Sequence, residues 1–334
     1  MGPDARPPTV STSGMLAGAN SREADATARP EQPSADATSR RLAGAPISWG
    51  VCEVPGWGLM LPPERVLSEM ASLGLRATEL GPIGYLPLDA AELRALLDRH
   101  GLRLTAAFIP LVLHERSADD ARAEADRMAK LLAAAGADVF VAAVVVDQDW
   151  SPRRELSNEE WQRVTRRLAE IEGIAGTHGL TFALHPHAGT LVEQTQDIER
   201  VLEASDVGWC FDSGHLLIGG MDPVAFVRDH ADRIVHVHLK DVDATLAACV
   251  RAGELTLVAA TQAGLFRPLG QGDSGIEEVV RLLDRHGYER WLVLEQDTAI
   301  TGEEPPAGDG PVLDVGRSIE YLTTLALERE VAQP

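Results

Sequence analysis

Apolar and polar residues alternate along the chain with two periods, one typical of strands and one typical of helices. Eight short apolar runs predict strands, at residues 44–49, 75–80, 102–109, 138–146, 180–187, 207–212, 234–239 and 290–295. Longer segments between them carry apolar residues three and four positions apart, which predicts amphipathic helices, and a last helix is predicted at 313–329. Alternation of strands and helices favours a parallel sheet. Eight such units predict a closed (β/α)8 TIM barrel, an α/β fold in a single domain.

The competing architecture for this alternation is an open, doubly wound parallel sheet. That fold would favour a glycine-rich phosphate-binding turn directly after the first strand. The corresponding stretch, "ISWGVCEVPGWG" at 47–58, contains no GxGxxG. We therefore expect one barrel domain over residues 42–330.

The first 41 residues differ in composition from the rest of the chain. They are rich in alanine, proline, serine, threonine and charged residues, and they contain no aromatic residue. Such a segment cannot bury enough apolar surface to offset the conformational entropy that ordering removes. We expect a disordered N-terminal extension over 1–41.

Charge and cysteine content narrow the classes of function. The 334-residue chain carries a net charge of −21, which disfavours binding to the phosphates of nucleic acids and to anionic membrane surfaces. No apolar stretch approaches the roughly 18 residues of a membrane span. Cys52, Cys210 and Cys249 form no CxxC pair, which is typical of proteins in a reducing compartment. We expect a cytoplasmic protein that acts on a small molecule, and the sequence is compatible with a homo-oligomer.

Acidic residues and histidines stand at the carboxyl ends of most predicted strands, where TIM barrels carry their catalytic residues. The side chains at or just after these ends are Glu79, Asp147, Asp149, His185, His187, Asp212, His215, His238, Lys240 and Glu295. Carboxylate oxygens mixed with imidazole nitrogens form ligand sets for Mn²⁺, Co²⁺, Fe²⁺ or Zn²⁺. The sequence therefore predicts a metal site on this rim of the barrel.

Position along each strand separates metal ligands from groups that face a substrate. The last inward positions of three strands, where rigid elements fix coordination geometry best, are held by Asp212, His238 and Glu295. His215 follows three residues after Asp212, close enough to face a substrate. Lys240 is predicted either to act as an acid, a base or an electrostatic clamp, or to pair with Asp241.

Several motifs together resemble those of a known superfamily. They are "GAPISWGVCEVPGWG" (44–58), "ATELGPIGYLP" (77–87), "HPHAGT" (185–190), "DSGH" (212–215) and "HVHLKD" (236–241). Over residues 43–325 the chain resembles the xylose-isomerase-like sugar isomerase/epimerase superfamily. Within that superfamily it is most similar to the inosose dehydratases of myo-inositol catabolism.

The resemblance implies a TIM barrel with one divalent metal ion, held by Glu, Asp, His and Glu from strands five to eight. Asp212, His238 and Glu295 match three of these ligands. The fourth differs, because His185 stands where the superfamily commonly has glutamate. Either His185 is the ligand, or Glu193 from the following loop takes its place, or three protein ligands are completed by water. Mn²⁺ and Co²⁺ are the favoured metals, and Mg²⁺, Fe²⁺ and Zn²⁺ are also compatible.

The activity implied by the resemblance is dehydration of 2-keto-myo-inositol. A metal ion at the ketone oxygen would act as a Lewis acid and stabilise the enolate, while side chains supply a base for the α-proton and an acid for the departing hydroxide. The candidates for these two roles are His187, Glu193, His215 and Lys240. The candidates for substrate contact are Trp49, Glu79 and Arg267, and Trp57 is interpreted as a loop anchor.

Three other functions compete with dehydration. A metal-dependent sugar or inosose isomerase or epimerase would share the enolate, and its product would not have lost water. An apurinic endonuclease shares the barrel, but the acidic charge disfavours a DNA-facing groove. A non-catalytic barrel would show no activity on any polyol ketone. The long segment at about 243–275 is expected to form a lid or an interface.

Overall fold

The computed structural model describes Gly2 and residues 41–332. The disorder predicted for 1–41 therefore falls outside the described residues, apart from Gly2 and Arg41. The strands are β1 Leu42–Gly44, β2 Ala77–Thr78, β3 Arg103–Leu104, β4 Phe108–Leu111, β5 Val139–Val144, β6 Thr181–Leu184, β7 Trp209–Asp212, β8 Ile234–Leu239, β9 Asp241–Val242, β10 Phe266–Arg267 and β11 Leu292–Leu294.

Helices connect most of the strands. They are α1 Pro63–Ser72, α2 Ala90–Arg99, α3 Asp119–Ala135, α4 Asn158–Thr177, α5 Thr195–Ala204, α6 Ser213–Gly219, α7 Pro223–His230, α8 Ala244–Arg251, α9 Leu257–Gln262, α10 Ile276–Arg285 and α11 Pro311–Ala332. Within residues 41–332, no helix has the length and apolar character needed to cross a membrane.

Nine strands form one parallel sheet, in the order β3-β2-β1-β11-β8-β7-β6-β5-β4. Its two outer members, β3 and β4, are the two halves of the strand predicted at 102–109. Between them, Leu80 N donates to Ala106 O at 3.0 Å on one side, and Val141 N donates to Ala107 O at 3.2 Å on the other. The sheet therefore closes on itself with eight strand positions, and the predicted TIM barrel is confirmed.

The first strand lies earlier than the sequence pattern predicts. It spans Leu42–Gly44, and the apolar run that follows forms a 3₁₀ turn at Pro46–Trp49. Pro46 at the start of this turn has no N–H to offer a strand ladder, and its fixed φ suits a helical turn. The polar residues after β1 consequently lie on a loop at the rim.

Small residues line the inside of the barrel. One cluster of buried side chains consists of Ala43, Ala45, Ala77 and Val293, and a second consists of Ala106, Val139, Val141, Ala183 and Cys210. Alternate residues of each strand face the axis. Because these side chains are small, the carboxyl-end half of the barrel has room for larger polar ones.

Candidate metal and active site

Four side chains converge at the carboxyl ends of neighbouring strands. Asp212 is the last residue of β7 and His238 lies in β8, while His185 and Glu295 directly follow β6 and β11. All four are at most 8% exposed. The parallel strands end on one rim, which is why residues far apart in sequence meet here.

The facing atoms of this group are close together. His185 Nε2 lies 3.0 Å from His238 Nδ1, and each of these nitrogens lies 3.6 Å from Asp212 Oδ2. Glu295 Oε2 lies 3.2 Å from His238 Nδ1. Ligand atoms around a tetrahedral ion with bonds of about 2.0–2.1 Å are about 3.3 Å apart. The spacing of Asp212, His238 and Glu295 fits one small divalent cation, and His185 lies within 3.6 Å of two of these three side chains.

Asp212 gives a second reason for this assignment. Its Oδ1 accepts hydrogen bonds from the backbone N–H groups of Gly214 and His215, at 2.9 and 2.8 Å. Its Oδ2 is buried, accepts no hydrogen bond, and lies 3.4 Å from Lys240 Nζ and 3.6 Å from the facing nitrogens of His185 and His238. One oxygen of Asp212 thus fixes the start of helix α6, and the other faces the side chains around the candidate metal position. The donor set, two carboxylates and two imidazoles, suits Mn²⁺, Co²⁺, Fe²⁺ or Zn²⁺.

Lys240 is fully buried beside this group, at 1% exposure. Its Nζ lies 2.8 Å from Asp297 Oδ1, 3.0 Å from Glu295 Oε2 and 3.4 Å from Asp212 Oδ2. Burial alone would lower the pKa of Lys240, but these three carboxylates hold that pKa well above its usual range. A Cβ on Gly214 would meet the Lys240 stem at 2.7 Å, so the glycine of "DSGH" leaves room for the lysine.

The predicted alternative pairing of Lys240 with Asp241 does not form. Asp241 instead accepts four backbone N–H bonds, with Oδ2 receiving Gly270 and Gly272 and Oδ1 receiving Ser274 and Val242, at 2.9–3.1 Å. The two neighbours in "HLKD" therefore serve different purposes. Lys240 faces the rim, and Asp241 fastens the loop that follows β10.

His215 and His187 form a closely packed, tilted pair of rings next to Lys240. Their ring centroids are 3.8 Å apart, and Lys240 Nζ lies 3.0 Å from His215 Nε2. His215 Nδ1 accepts from Ala188 N at 3.3 Å. Burial lowers the pKa of both imidazoles, that of His187 to about 3, with neighbouring cations adding to the effect. Both rings are therefore neutral at ordinary pH, as a proton acceptor must be.

Glu79 holds two histidines from the opposite side. Its Oε1 accepts from His236 Nε2 at 2.7 Å and from His238 Nε2 at 2.8 Å. Burial would raise the pKa of Glu79, but these two imidazoles hold that pKa well below its usual range. Since His238 gives its Nε2 hydrogen to Glu79, its Nδ1 is left as the nitrogen that faces Asp212 and Glu295.

Three other predicted site residues lie apart from this cluster. Trp49 is fully buried, and its Nε1 donates to Glu69 Oε2 at 2.8 Å. Arg267 pairs with Asp243 at 3.3 Å. Glu193 pairs with Arg153 at 3.2 Å.

A cavity of about 200 Å³ opens above the cluster. Pockets for drug-sized ligands measure roughly 300–1,000 Å³, so this one suits a single small ring. Its ionisable lining consists of Glu79, His185, His187, His238, Lys240, Glu295 and Asp297, and its apolar lining includes Trp57, Phe108 and Trp150.

The sequence pattern placed Asp297 after the last strand without giving it a role, and it did not single out Phe108 or Trp150. Asp297 lies three residues beyond β11, where it binds Lys240. Burial raises the pKa of Asp297 to about 6, and Lys240 opposes that rise. The feature of the sequence that pointed to Asp297 was the run "EQD" (295–297), directly after the last strand. Trp57, interpreted as a loop anchor, does donate Nε1 to Thr298 O at 2.8 Å, and it also lines the cavity.

Several known proteins are similar to this chain in sequence, in fold or in both. Residues 67–323 match the family described as xylose isomerase-like TIM barrel. The chain is 35% identical over 268 residues to the rhizopine catabolism protein MocC of Rhizobium meliloti, covering 78% of this chain and 82% of that protein. It is 32% identical over 306 residues to the inosose dehydratase of Geobacillus kaustophilus, covering 88% of this chain and 97% of that protein.

A solved structure of similar fold is the IolI protein with a bound zinc atom. It has a TM-score of 0.61 and 15% identity to this chain, covering 86% of this chain and 98% of that one. The relatives named inosose dehydratase support the assignment of this chain as an enzyme of the lyase or sugar isomerase/epimerase kind. By its sequence match and its fold, the chain belongs to the xylose isomerase-like TIM barrel family.

Proposed function

We propose that this protein is a divalent-metal-dependent hydro-lyase that dehydrates a keto-inositol, with 2-keto-myo-inositol as the substrate. The observation that carries the proposal is the convergence of buried side chains on one point, where Asp212 Oδ2 lies 3.6 Å from nitrogens of both His185 and His238 and where Asp212, His238 and Glu295 could together hold a metal ion. The identity to inosose dehydratases supports the choice of substrate.

The residues that would hold the metal ion are His185, Asp212, His238 and Glu295. A divalent ion held there would supply Lewis acidity to the ketone oxygen of the substrate. Mn²⁺ or Co²⁺ suits this set of oxygen and nitrogen ligands, and Zn²⁺ or Fe²⁺ is compatible with it. Charge supports a cation too, because three buried carboxylates, those of Asp212, Glu295 and Asp297, lie around a single buried lysine.

Lys240 and His215 are the groups that we assign to proton transfer. Their nitrogens are 3.0 Å apart, so the neutral His215 ring can take a proton while the neighbouring Lys240 ammonium donates one, and the pair can then exchange the proton between them. Dehydration breaks the C–H bond α to the ketone, forms a carbon–carbon double bond and breaks the C–O bond at the β position. The proton removed from the α-carbon then leaves with the β-hydroxyl as water.

His187 packs on His215 with ring centroids 3.8 Å apart. It is therefore assigned to hold the His215 ring in place while His215 exchanges its proton. Asp297 is assigned to fix the Lys240 ammonium, which it contacts at 2.8 Å. Both assignments concern orientation, which contributes to rate by keeping reacting groups within hydrogen-bond reach.

The experiment is an assay of the metal-loaded protein with 2-keto-myo-inositol. We expect a product lighter by one water molecule that absorbs in the ultraviolet, and we expect activity to disappear when a chelator removes the metal and to return with Mn²⁺ or Co²⁺. Epimerisation would instead leave the mass unchanged in H₂O and introduce deuterium in D₂O. That second result, with no loss of water, would replace the dehydratase assignment by an epimerase one.

A further inference from the structure

Trp150 adopts an unusual backbone conformation at the edge of the cavity. It lies in the loop between β5 and α4, and among the described residues it is the one non-glycine residue with a positive φ, at 57°. Bulky side chains rarely occupy this left-handed region, because Cβ crowds the following carbonyl. Such strain persists where the surroundings enforce it, often at ligand sites.

A single carboxylate enforces the conformation. Asp147 Oδ1 accepts from the N–H groups of Asp149 and Ser151, both at 3.0 Å, so it closes a turn around Trp150. Gln148 Nε2 donates to Pro110 O at 3.2 Å and ties the same loop to β4. These hydrogen bonds thus fix the backbone on both sides of Trp150.

The indole forms part of an apolar wall. Its plane is within 12° of the Phe108 ring, at a centroid distance of 6.2 Å, and it lies 6.2 Å from the His187 ring. Phe108 in turn lies 5.7 Å from the ring of His185. Trp150 is half-buried and lines the cavity together with Phe108. An apolar ring surface therefore faces the space next to the candidate ligand His185.

The cavity lining therefore combines these apolar rings with the charged side chains of Lys240, Glu295 and Asp297. A six-membered carbocycle whose hydroxyls are all equatorial offers a surface for each. Its axial C–H bonds make the ring faces apolar, and its oxygens lie around the rim. A flat aromatic side chain can pack on such a face, whereas an axial hydroxyl would be pressed against it without a hydrogen-bond partner.

We propose that Trp150 is a substrate-binding platform that selects cyclic polyol ketones with all-equatorial hydroxyls over epimers with an axial hydroxyl. The proposal rests on the proposed function for the class of substrate, and it adds the stereochemistry that this site prefers. It assigns Trp150 to contact with the ring face, and Asp147 to positioning of Trp150.

The test compares two inositols that have no ketone and therefore cannot be dehydrated. scyllo-Inositol has six equatorial hydroxyls, and myo-inositol has one axial hydroxyl. We expect isothermal titration calorimetry of the Mn²⁺-loaded protein to show about tenfold tighter binding of scyllo-inositol, within the range expected for one aromatic contact. We expect Trp150→Leu and Trp150→Gly to abolish this preference and Trp150→Phe to retain most of it.

Two variants separate binding from folding. Trp150→Gly removes the ring and also relieves the left-handed strain, so its melting temperature should not fall below that of Trp150→Leu. Trp291→Ala is the matched control, since Trp291 is also half-buried but lines the opening at the opposite end of the barrel. It should leave the preference unchanged.

Equal affinity of the unmodified protein for the two inositols, or a preference that survives in Trp150→Gly and Trp150→Leu, would overturn the proposal. Binding of neither inositol would overturn it as well. In that case the dehydration assay with 2-keto-myo-inositol still decides the proposed function separately.

Discussion

Lys240 Nζ and Asp297 Oδ1 are 2.8 Å apart, and both side chains are buried at the carboxyl-end rim of the barrel. An unpaired ammonium at this depth would be costly, because burial penalises the charged form. Asp297 offsets that cost while Asp212 and Glu295 lie on the other side of the same nitrogen. A charged lysine is thereby kept next to the candidate metal site.

This arrangement predicts that replacement of Lys240 affects turnover and metal binding in different ways. We expect Lys240→Met to lower kcat by about 10²–10⁴-fold, the usual contribution of a proton-transfer group. Metal binding should be kept or tightened, because the variant loses the cation that faces Asp212 and Glu295. Steady-state kinetics and metal analysis by mass spectrometry measure the two effects. Lys130→Met, at an exposed position of α3, is the control; metal loss in Lys240→Met alone would contradict the prediction.

The identity of the fourth ligand is decided by comparing His185 with Glu193. His185 Nε2 lies 3.0 Å from His238 Nδ1, while Glu193 pairs with Arg153. We expect His185→Ala to lose bound metal as Asp212→Ala does, and Glu193→Ala to retain it. Metal content per chain after gel filtration is the measurement, and circular dichroism checks that each variant is folded. Retention by His185→Ala together with loss from Glu193→Ala would reverse the assignment.

Glu79 is expected to act on metal binding without being a ligand. It accepts the Nε2 hydrogen of His238, and carboxylates in this position typically change metal affinity by about 10–100-fold when they are replaced. We expect Glu79→Gln to weaken Co²⁺ binding by that factor and to change the visible spectrum of the Co²⁺ form. The control is Glu69→Gln, which removes a buried carboxylate that accepts a hydrogen bond from Trp49 instead of from a candidate metal ligand. An unchanged spectrum and affinity in Glu79→Gln would show that His238 needs no such support.

The lowered pKa of His187 leads us to predict that the stability of the folded protein depends on pH. Burial lowers its pKa from 6.5 to about 3, with His185 and Lys240 adding to the effect. Between these two values the unfolded chain binds a proton that the folded chain does not, so the free energy of unfolding falls as pH is lowered through this window. We expect His187→Gln to reduce the drop in melting temperature between pH 7 and about pH 4.5, measured on metal-free protein.

The control for this prediction is His178→Gln. His178 lies at the end of α4, where it pairs with Asp126 at 2.8 Å near the surface. Its replacement should leave the pH dependence close to that of the unmodified protein. A drop in His187→Gln as large as in the unmodified chain would mean that the imidazole titrates in the folded state as it does in the unfolded one.

The barrel and much of its rim were predictable from sequence. Asp212, His238 and Glu295 stand at strand ends, and parallel strands must end on a common rim, so their meeting follows from periodicity alone. His185 and Lys240 are found the same way, because they follow the same face of β6 and β8. For these residues, local pattern and tertiary position coincide.

Loop residues were not predictable in this way. Trp49 and Trp57 lie in one loop region, yet Trp49 turns into the core toward Glu69 and Trp57 lines the cavity. Trp150 depends on a turn closed by Asp147, which no periodic pattern encodes. Side chains on loops are aimed by individual hydrogen bonds, whereas strands aim theirs by a regular repeat.

The four backbone bonds accepted by Asp241 have a consequence for how this protein can change. Three of them fasten the chain at Gly270–Ser274, and the short ladder between β9 and β10 closes the segment that carries α8 and α9. Leu257 and Val258 of α9 line the cavity from this segment. The segment between β9 and β10 is thus attached to the barrel at a fixed point and is otherwise separate from the strands of the barrel. Its length and sequence can diverge, and the shape of the cavity with them, while the barrel below keeps its geometry.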